Sequence, residues 1–286
     1  MANTYNTGVY PQEWAEKLQE RLDKPTNWKE LTDVIYSDKQ VFNLPFMSTE
    51  FTLQTGTRGT AYGFSDFALT NDTLTINTYK VVPVFIDRAD LAQCTLVTQM
   101  EMAERQGRLV DEQIEAAFLG NHAAWTDFDN TQIGGGAGNI TITISNIDDV
   151  IRGVKREIIE ANGMDMMNKY GVGFAWRAAD FEILEAYLSA NGFNLADATL
   201  KSGIMTEKGY YALGAYHYVS NSHTAGHVFA GVRKIETIGI LKSTYGQIVV
   251  TQDPNLQSGI GIISRVDYGL NTKEGLKTLV FDVLVA

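Results

Sequence analysis

The sequence has little cysteine, little positive charge and no long apolar run, and each shortage excludes a class of protein. A single cysteine, Cys94, excludes an internal disulfide and fits a reducing compartment. Lys and Arg number 23 against 34 Asp and Glu, and the net charge of −11 argues against a protein that wraps nucleic acid by neutralising its phosphates. No run of about 18 apolar residues occurs, and the start MANTYNTGVYPQEW lacks the regions of a signal peptide. These features predict a soluble, acidic protein made inside a cell.

The motifs of common enzymes are missing as well. The sequence contains no G-x-S-x-G or H-E-x-x-H, and its carboxylates form no recognisable acid–base pair. The glycine-rich run 134–139, GGGAGN, is not followed by Gly-Lys-Ser/Thr, and the residues after it, ITITIS, alternate as a strand. We therefore predict a connecting loop there, and no catalytic or cofactor-binding residue in the chain.

Three of the four histidines lie close together in the sequence. His223 and His227 have a spacing that suits two metal ligands on one helix, and His217 is near. The surrounding segment, YHYVSNSHTAGHVFAG, is rich in β-formers and glycine and contains no cysteine or carboxylate. It predicts surface or loop histidines and no metal site. Neighbouring tyrosines could stack on a ligand, but alternating aromatics favour core and interface contacts: Tyr210, Tyr211, Tyr216 and Tyr218.

A long amphipathic helix is predicted from Asp90 to Asn121. Asp90 is a candidate cap, and Gly120-Asn121 is expected to end the helix in a left-handed conformation. At ~1.5 Å per residue, the 29 residues between the cap and Gly120 would span roughly 43 Å. The apolar face is expected to hold Val97, Met100, Ala103, Gly107, Val110, Ile114 and Ala117. The solvated face is expected to hold Glu101, Glu104, Arg108, Asp111, Glu112 and Glu115.

Two segments before this helix are predicted to need another surface. Trp14 and Trp28 lie in a short N-terminal arm, and their burial requires contact with the chain's own body or with a neighbouring copy. A β-hairpin follows, with the glycine-rich and aromatic tip TGTRGTAYGFSDFALTND. Because an isolated hairpin is only marginally stable in water, this one lies either on a neighbouring subunit or at the edge of a larger sheet in its own domain.

The second half of the chain predicts a compact α/β unit and then more strands. Ser145 with Asp148 is typical of a capping box, and a helical stripe from Ile147 to Ile158 ends at Asn162-Gly163. A strand VGFAW, a helix Ala178 to Ala190 and two strand-rich segments follow. Strands are then predicted at 247–251, 259–267 and 277–285, with residues 82–86 and 140–144 as their candidate partners.

The order of these parts resembles the major capsid proteins of tailed bacteriophages, which have the Hong Kong 97-type shell fold. The segments that carry the resemblance are FTLQT, LTINTYKVVPVF, IDRADLAQCTLVTQMEMAERQGRLVDEQIEAAFLG, ISNIDDVIRGVKREIIEANG, YYALGAYHYVSNS, HVFAGVRK, IGIISRVDYG and TLVFDVLVA. Two departures are visible. Val232 stands where family members often carry an acidic residue after the glycine matching Gly231, and the arm is too short for the scaffolding segment of some relatives.

The resemblance implies an α+β fold in five segments. These are an N-terminal arm (1–42), an extended β-hairpin loop (43–86), a peripheral domain with a spine helix (87–144), an α/β axial domain (145–242) and return strands of the peripheral domain (243–286). The implied protein is a non-enzymatic coat protein that assembles with itself into pentamers and hexamers of an icosahedral shell. The shell would enclose double-stranded DNA.

Partners and contact residues also follow from the resemblance. Portal and scaffolding proteins are the implied partners, with assembly in the bacterial host cytoplasm and no membrane contact. The residues expected between subunits are Trp14, Leu18, Arg58, Tyr62, Phe64 and Phe67. Two alternatives stay open: an encapsulin-like bacterial compartment shell, and a soluble enzyme or ligand-binding protein with a His/Tyr pocket near residues 210–227.

Overall fold

Two large β-sheets share one hydrophobic core. The structure is a computed structural model that describes residues 26–47, 55–56, 58–59, 69–87, 96–191, 210–251 and 259–286. Within these residues the chain forms a five-stranded sheet, a six-stranded sheet, a two-stranded hairpin and five α-helices. The buried apolar side chains of both large sheets belong to the same cluster.

The elements are numbered in chain order. The helices are α1 (Trp28–Leu31), α2 (Leu96–Gly120), α3 (Ile147–Glu160), α4 (Met164–Tyr170) and α5 (Ala178–Ala190). The strands are β1 (Asp33–Ser37), β2 (Val41–Met47), β3 (Leu69–Thr75), β4 (Thr78–Asp87), β5 (Thr126–Phe128), β6 (Val172–Trp176), β7 (Tyr210–Ala212), β8 (Ala215–Val219), β9 (His227–Val232), β10 (Glu236–Leu241), β11 (Ile248–Thr251), β12 (Gly259–Thr272) and β13 (Val280–Leu284). Short 3-10 helices span Asn121–Ala124, Asn130–Ile133 and Glu274–Leu279.

The predicted long helix is present as α2, called here the spine helix. It has 25 described residues, and its predicted cap at Asp90 lies outside the described part of the chain. The predicted left-handed end is wrong, because Gly120 has right-handed dihedrals (φ −75°, ψ −12°). The chain continues directly into a 3-10 helix, which tightens the last turn and satisfies carbonyls that a left-handed cap would otherwise satisfy.

The buried face of the spine helix includes a carboxylate that the sequence pattern assigns to solvent. Val110 and Ile114 are buried as predicted, but Glu115 is also only 1% exposed. Its Oε2 accepts the backbone N–H of Asn27 at 2.5 Å and that of Trp28 at 2.8 Å. Burial raises the pKa of Glu115, and these hydrogen bonds act in the opposite direction. The solvated-face prediction therefore fails at Glu115, because a periodic pattern does not reveal backbone donors from a distant segment.

A second polar side chain on this helix connects it to the five-stranded sheet. Gln106 is 2% exposed, and its Nε2 donates to the carbonyl oxygens of Val82 (3.1 Å) and Ile262 (3.0 Å). These carbonyls belong to two adjacent strands, β4 and β12. One amide thus attaches the helix to both strands, while Gly107, predicted on the apolar face, is exposed.

The five-stranded sheet confirms one of the predicted strand pairings. Its order is β1-β10-β12-β11, with β4 also paired to β12. β1 is parallel to β10, and the other pairs are antiparallel. Residues 82–86 therefore lie against the C-terminal strand segment, as the sequence predicts.

The last part of the predicted arm is integrated into this sheet. In residues 26–42, Trp28 is 1% exposed and packs in the chain's own core. Lys234 Nζ donates to Thr32 O at 2.7 Å, which holds α1 beside β10. Of the two docking surfaces considered for Trp28, the structure shows the intramolecular one. Trp14 lies outside the described residues.

The six-stranded sheet has the order β5-β13-β9-β6-β8-β7. Helices α3 and α4 pack against β9, and α5 packs against β6. The strand VGFAW and the helix Ala178–Ala190 have the predicted bounds. β13 lies in this sheet, between β5 and β9, whereas β10 lies in the five-stranded sheet. Val232 is fully buried in the core, where an unpaired acidic side chain would be costly.

The segment ITITIS is not a strand, although its alternation is real. Ile140 and Ile142 are buried and Ile144 is exposed, and Ile140 forms an isolated parallel bridge with Val285. No ladder continues from that bridge, because the side chain of Asn146 pairs with the backbone further along the segment.

The same asparagine replaces the predicted capping box. Asn146 Oδ1 accepts the N–H of Thr143 (2.8 Å), and its Nδ2 donates to Thr141 O (2.9 Å). Asn146 is the N-cap of α3 and makes no side-chain cap hydrogen bond, so the box predicted for Ser145 and Asp148 is wrong. Acidic residues in the first turn still favour the helix dipole.

The predicted hairpin strands are FTLQT and LTINTYKVVPVF, and residues 51–54 of the first lie outside the described part of the chain. The described hairpin consists of β2 and β3. β2 pairs with β3, from Val41 opposite Thr75 to Met47 opposite Leu69. β4, which the sequence assigns to the hairpin, pairs with β12 instead. Its apolar run, VVPVF, gains more burial between β12 and the spine helix than it would in a two-stranded ribbon.

The base of the hairpin lies on a pair of glycines. Gly239 of β10 and Gly269 of β12 are directly opposite each other in the sheet. A Cβ at Gly239 would lie 2.8 Å from Cδ2 of the buried Leu74, and one at Gly269 would overlap the backbone carbonyl of Thr75. We call these two residues the glycine seat. A side chain at either position would push the hairpin away from the sheet.

We expect Gly269→Ala to destabilise the subunit by about 1–3 kcal/mol, because the new methyl meets rigid backbone rather than a movable side chain. Equilibrium urea unfolding measures the change. Gly107→Ala is the matched control: a Cβ there meets no atom within 4 Å, and alanine in a helix is neutral or stabilising by about 0.5–1 kcal/mol. Equal unfolding midpoints for Gly269→Ala and the wild type would contradict the glycine seat.

Candidate assembly surface and buried polar sites

Large apolar side chains are exposed along the hairpin. Met47 and Leu69 are opposite each other at the far end of its ladder, and they are 48% and 60% exposed. Val41, at the other end of β2, is 53% exposed. A two-stranded ribbon cannot cover such a pair by itself, so the far end of the hairpin is a candidate contact with another molecule.

The near part of the hairpin is fixed to the subunit by polar contacts. Asp72 Oδ1 accepts from Asn271 Nδ2 at 2.9 Å, and Asp72 Oδ2 accepts from the N–H of Glu274 at 3.1 Å. Phe46 lies close to Gly275 on the same side. The hairpin therefore has a fixed direction, which a contact between subunits requires.

One of the six predicted contact residues can be placed. Arg58 is exposed in a turn, next to Gly59, whose φ of +90° is accessible to glycine. The other five lie outside the described residues: Trp14, Leu18, Tyr62, Phe64 and Phe67. Their contact role stays a prediction.

A basic cleft of about 340 Å³ opens beside the six-stranded sheet. Its lining includes Lys155, Lys169, Arg233, Tyr211 and Tyr216, and the described lining has no carboxylate. The guanidinium of Arg233 lies 3.8 Å from the ring centroid of Tyr216, a cation–π contact. The histidines of the predicted His/Tyr pocket are not part of this lining, so the structure does not bring that pocket together.

His217 is a core residue and not a surface or loop residue as predicted. It is 0% exposed on β8, because its ring packs beside Phe174 and Trp176. Trp176 Nε1 donates to His217 Nδ1 at 2.9 Å, and His217 Nε2 lies 3.0 Å from Ala212 O. An indole nitrogen only donates, so Nδ1 is the acceptor and Nε2 carries the proton. Burial lowers the pKa of His217 to about 4.

Two other histidines meet a buried carboxylate. His122, in the 3-10 helix after the spine helix, stacks on His227 of β9 with ring centroids 3.7 Å apart. Asp282 Oδ2 on β13 is 2.6 Å from His227 Nδ1 and 3.6 Å from His122 Nδ1. Burial raises the pKa of Asp282, and the bond to His227 opposes this shift. The spacing of histidines along the sequence does not predict this cluster, since its members come from three distant segments.

Comparison with solved structures identifies the fold. The structure described as Mycobacterium phage Che8 matches with a TM-score of 0.68 and 16% identity, covering 96% of this chain and 97% of that chain. The capsid of a native GTA particle matches with a TM-score of 0.67 and 12% identity, covering 97% and 96%. The capsid of Ralstonia phage GP4 matches with a TM-score of 0.63 and 10% identity, covering 100% and 98%.

The chain has the Hong Kong 97-type capsid fold. No protein-family model matches the sequence, and a search of curated proteins also finds no match. At identities of 10–16%, the capsid fold is visible in the coordinates and not in a residue signature. The predicted α+β class and fold are confirmed.

The helices and the segments of the chain with this capsid fold can be compared with the sequence predictions. Across the described ranges, every helix is too short or too polar to cross a bilayer. The predicted bounds of the five segments stay a proposal, and both large sheets combine strands from more than one of these segments.

We expect acid to destabilise the capsid-fold subunit through His217. Its pKa in the folded state lies below the ordinary value, so its stabilising contribution is complete above about pH 6.5 and is lost as the pH falls toward 4. The loss amounts to roughly 3 kcal/mol. His217→Gln keeps an acceptor for Trp176 and a donor for Ala212 but does not titrate. Urea unfolding at pH 7.0 and pH 4.5 should therefore show a smaller loss in the variant, and identical losses would refute the assignment.

Proposed function

We propose that this chain is a major capsid protein, which assembles with copies of itself into the icosahedral shell of a tailed bacteriophage. The observation that carries the proposal is the match in fold to phage capsid structures over nearly the whole length of both chains. A fold shared only in one domain would leave the rest of the chain free for another task. Here the hairpin, the spine helix and both sheets are all included in the match.

The hairpin supports assembly as the physical role. Its base is fixed on the glycine seat, while Met47 and Leu69 at its far end present apolar surface to solvent. A neighbouring copy that covers this end would bury the surface that a single subunit leaves exposed. Such contacts join different patches of two copies, and they close into rings when the rotation between subunits is suitable.

The segments take the roles that this fold suggests. The extended loop (43–86) overlaps a neighbouring subunit, the peripheral domain contains the spine helix, and the axial domain (145–242) meets its copies at the centres of pentamers and hexamers. Portal and scaffolding proteins are the further partners. The shell holds double-stranded DNA by confinement, which agrees with the net charge of −11, because an acidic subunit does not bind phosphates tightly. No catalytic role is part of this proposal.

Neither alternative gains an observation of its own. An encapsulin-like shell would have the same fold but would hold protein cargo, so the contents of the particle decide between them. An enzyme or binding protein with a His/Tyr pocket is not favoured, because His217 is enclosed in the core and lies outside the basic cleft.

Electron microscopy and mass measurement of the purified chain test the proposal. We expect closed shells, or pentamers and hexamers, built from many copies. Nuclease-protected DNA in particles from infected cells would distinguish a phage shell from a cargo compartment. A well-folded species of 31.6 kDa at high concentration, with no larger assembly, would overturn the proposal.

We expect a double replacement, Met47→Lys with Leu69→Glu, to prevent shell formation without unfolding the subunit, because opposite charges directly across two strands are compatible with the ladder. Both side chains are about half exposed, so urea stability should change by less than ~0.5 kcal/mol, while the apolar contact gains two charges. Thr73→Glu, at an exposed position of the same strand, is the control and should assemble normally. Normal shells from the double variant would show that this end is not an assembly contact.

A further inference from the structure

His122, His227 and Asp282 form a cluster whose components are those of a metal site. The three candidate ligand atoms lie within 4.8 Å of one another. Each residue comes from a different element: the 3-10 helix Asn121–Ala124, the first residue of β9 and the middle of β13. None of the three residues is part of the lining of the basic cleft.

The carboxylate of Asp282 has an unusual environment. The residue is 1% exposed, and its ion-pair partners in the described structure are the two histidines. Its Oδ1 is buried and has no hydrogen-bond partner within the described chain. A buried carboxylate oxygen without a partner costs about 1–3 kcal/mol or more, and a cation bound to the same carboxylate would offset part of this cost.

A further carboxylate strengthens the negative field at this place. Asp127 of β5 is directly opposite Asp282 in the parallel β5–β13 pair. Two carboxylates beside two imidazoles attract a divalent cation, and imidazole nitrogen is a preferred ligand of transition metals, zinc among them.

We propose that His122, His227 and Asp282 bind one divalent transition-metal ion, with Zn²⁺ as the best match. The imidazole side chains are about one-quarter exposed, so an ion can enter from solvent and a water molecule can complete a four-coordinate site. Ligand atoms around a tetrahedral zinc lie ~3.3 Å apart. The 2.6 Å distance between His227 Nδ1 and Asp282 Oδ2 is that of a hydrogen bond. Metal binding would displace the shared proton, and the distance between the two atoms would increase by less than ~1 Å.

The ion would act as a clamp between the spine helix and the six-stranded sheet. His122 follows the end of the spine helix, and the other two ligands belong to adjacent antiparallel strands, β9 and β13. Aromatic packing already exists nearby, where Phe118 lies 5.0 Å from Phe229. The metal site is formed by these residues of one chain alone, whether or not the chain assembles into a phage shell.

Isothermal titration of the tag-free full-length chain with Zn²⁺, after treatment with a chelator, tests the site. We expect one ion per chain, and a higher melting temperature with Zn²⁺ than without it. His122→Gln, His227→Ala and Asp282→Asn should each weaken binding by roughly tenfold or more, since even indirect supports of a metal site cost that much. His217→Gln, which replaces a histidine outside the cluster and on another strand, is the matched control and should bind as the wild type does.

X-ray absorption at the zinc edge of the wild-type complex identifies the zinc ligands directly, so it tests the site even if a variant fails to fold. Two imidazole ligands per ion are expected. A spectrum with oxygen ligands only, a stoichiometry far below one, or affinity unchanged in a folded His122→Gln variant would overturn it.

Discussion

The spine helix packs against both large sheets. Its buried contacts connect the two sheets to each other. Near its middle, Gln106 donates to carbonyls of β4 and β12, which fixes the helix on the five-stranded sheet. Near its end, Phe118 packs against Phe229 of the six-stranded sheet. Between these points Glu115 binds the backbone just before α1. Polar groups at 1–2% exposure need defined partners, so these contacts specify one orientation of helix and sheets.

Much of the α/β portion could be predicted because its signals are local. VGFAW and the helix Ala178–Ala190 have the predicted bounds, since apolar periodicity alone determines them. Strand partners could not be predicted in the same way. β4 pairs with the longer strand β12 and not with β3, and ITITIS forms a single bridge, to Val285, because Asn146 binds the adjacent backbone. Both outcomes depend on the partners that a segment finds in the folded chain, which apolar alternation alone does not reveal.

The candidate sites also combine features that local sequence predicts with features that only the packing of distant elements determines. The need for a partner follows from the hairpin's composition, whereas the exposure of Met47 and Leu69 is visible only in the folded chain. The spacing of the histidines along the chain does not reveal the packing of His217 beside aromatic rings or the approach of His122 to His227, since both result from the packing of separate elements.

The position of β13 has a consequence for the timing of folding. This strand is inserted between β5 and β9, although it is synthesised long after both of them. While a ribosome is still translating β12, the described edge of β5 has no neighbour, and β9 can pair only with β6. Closing the sheet therefore requires contacts of very long sequence separation, which form slowly. A nascent chain therefore cannot complete the six-stranded sheet until β13 has left the ribosome.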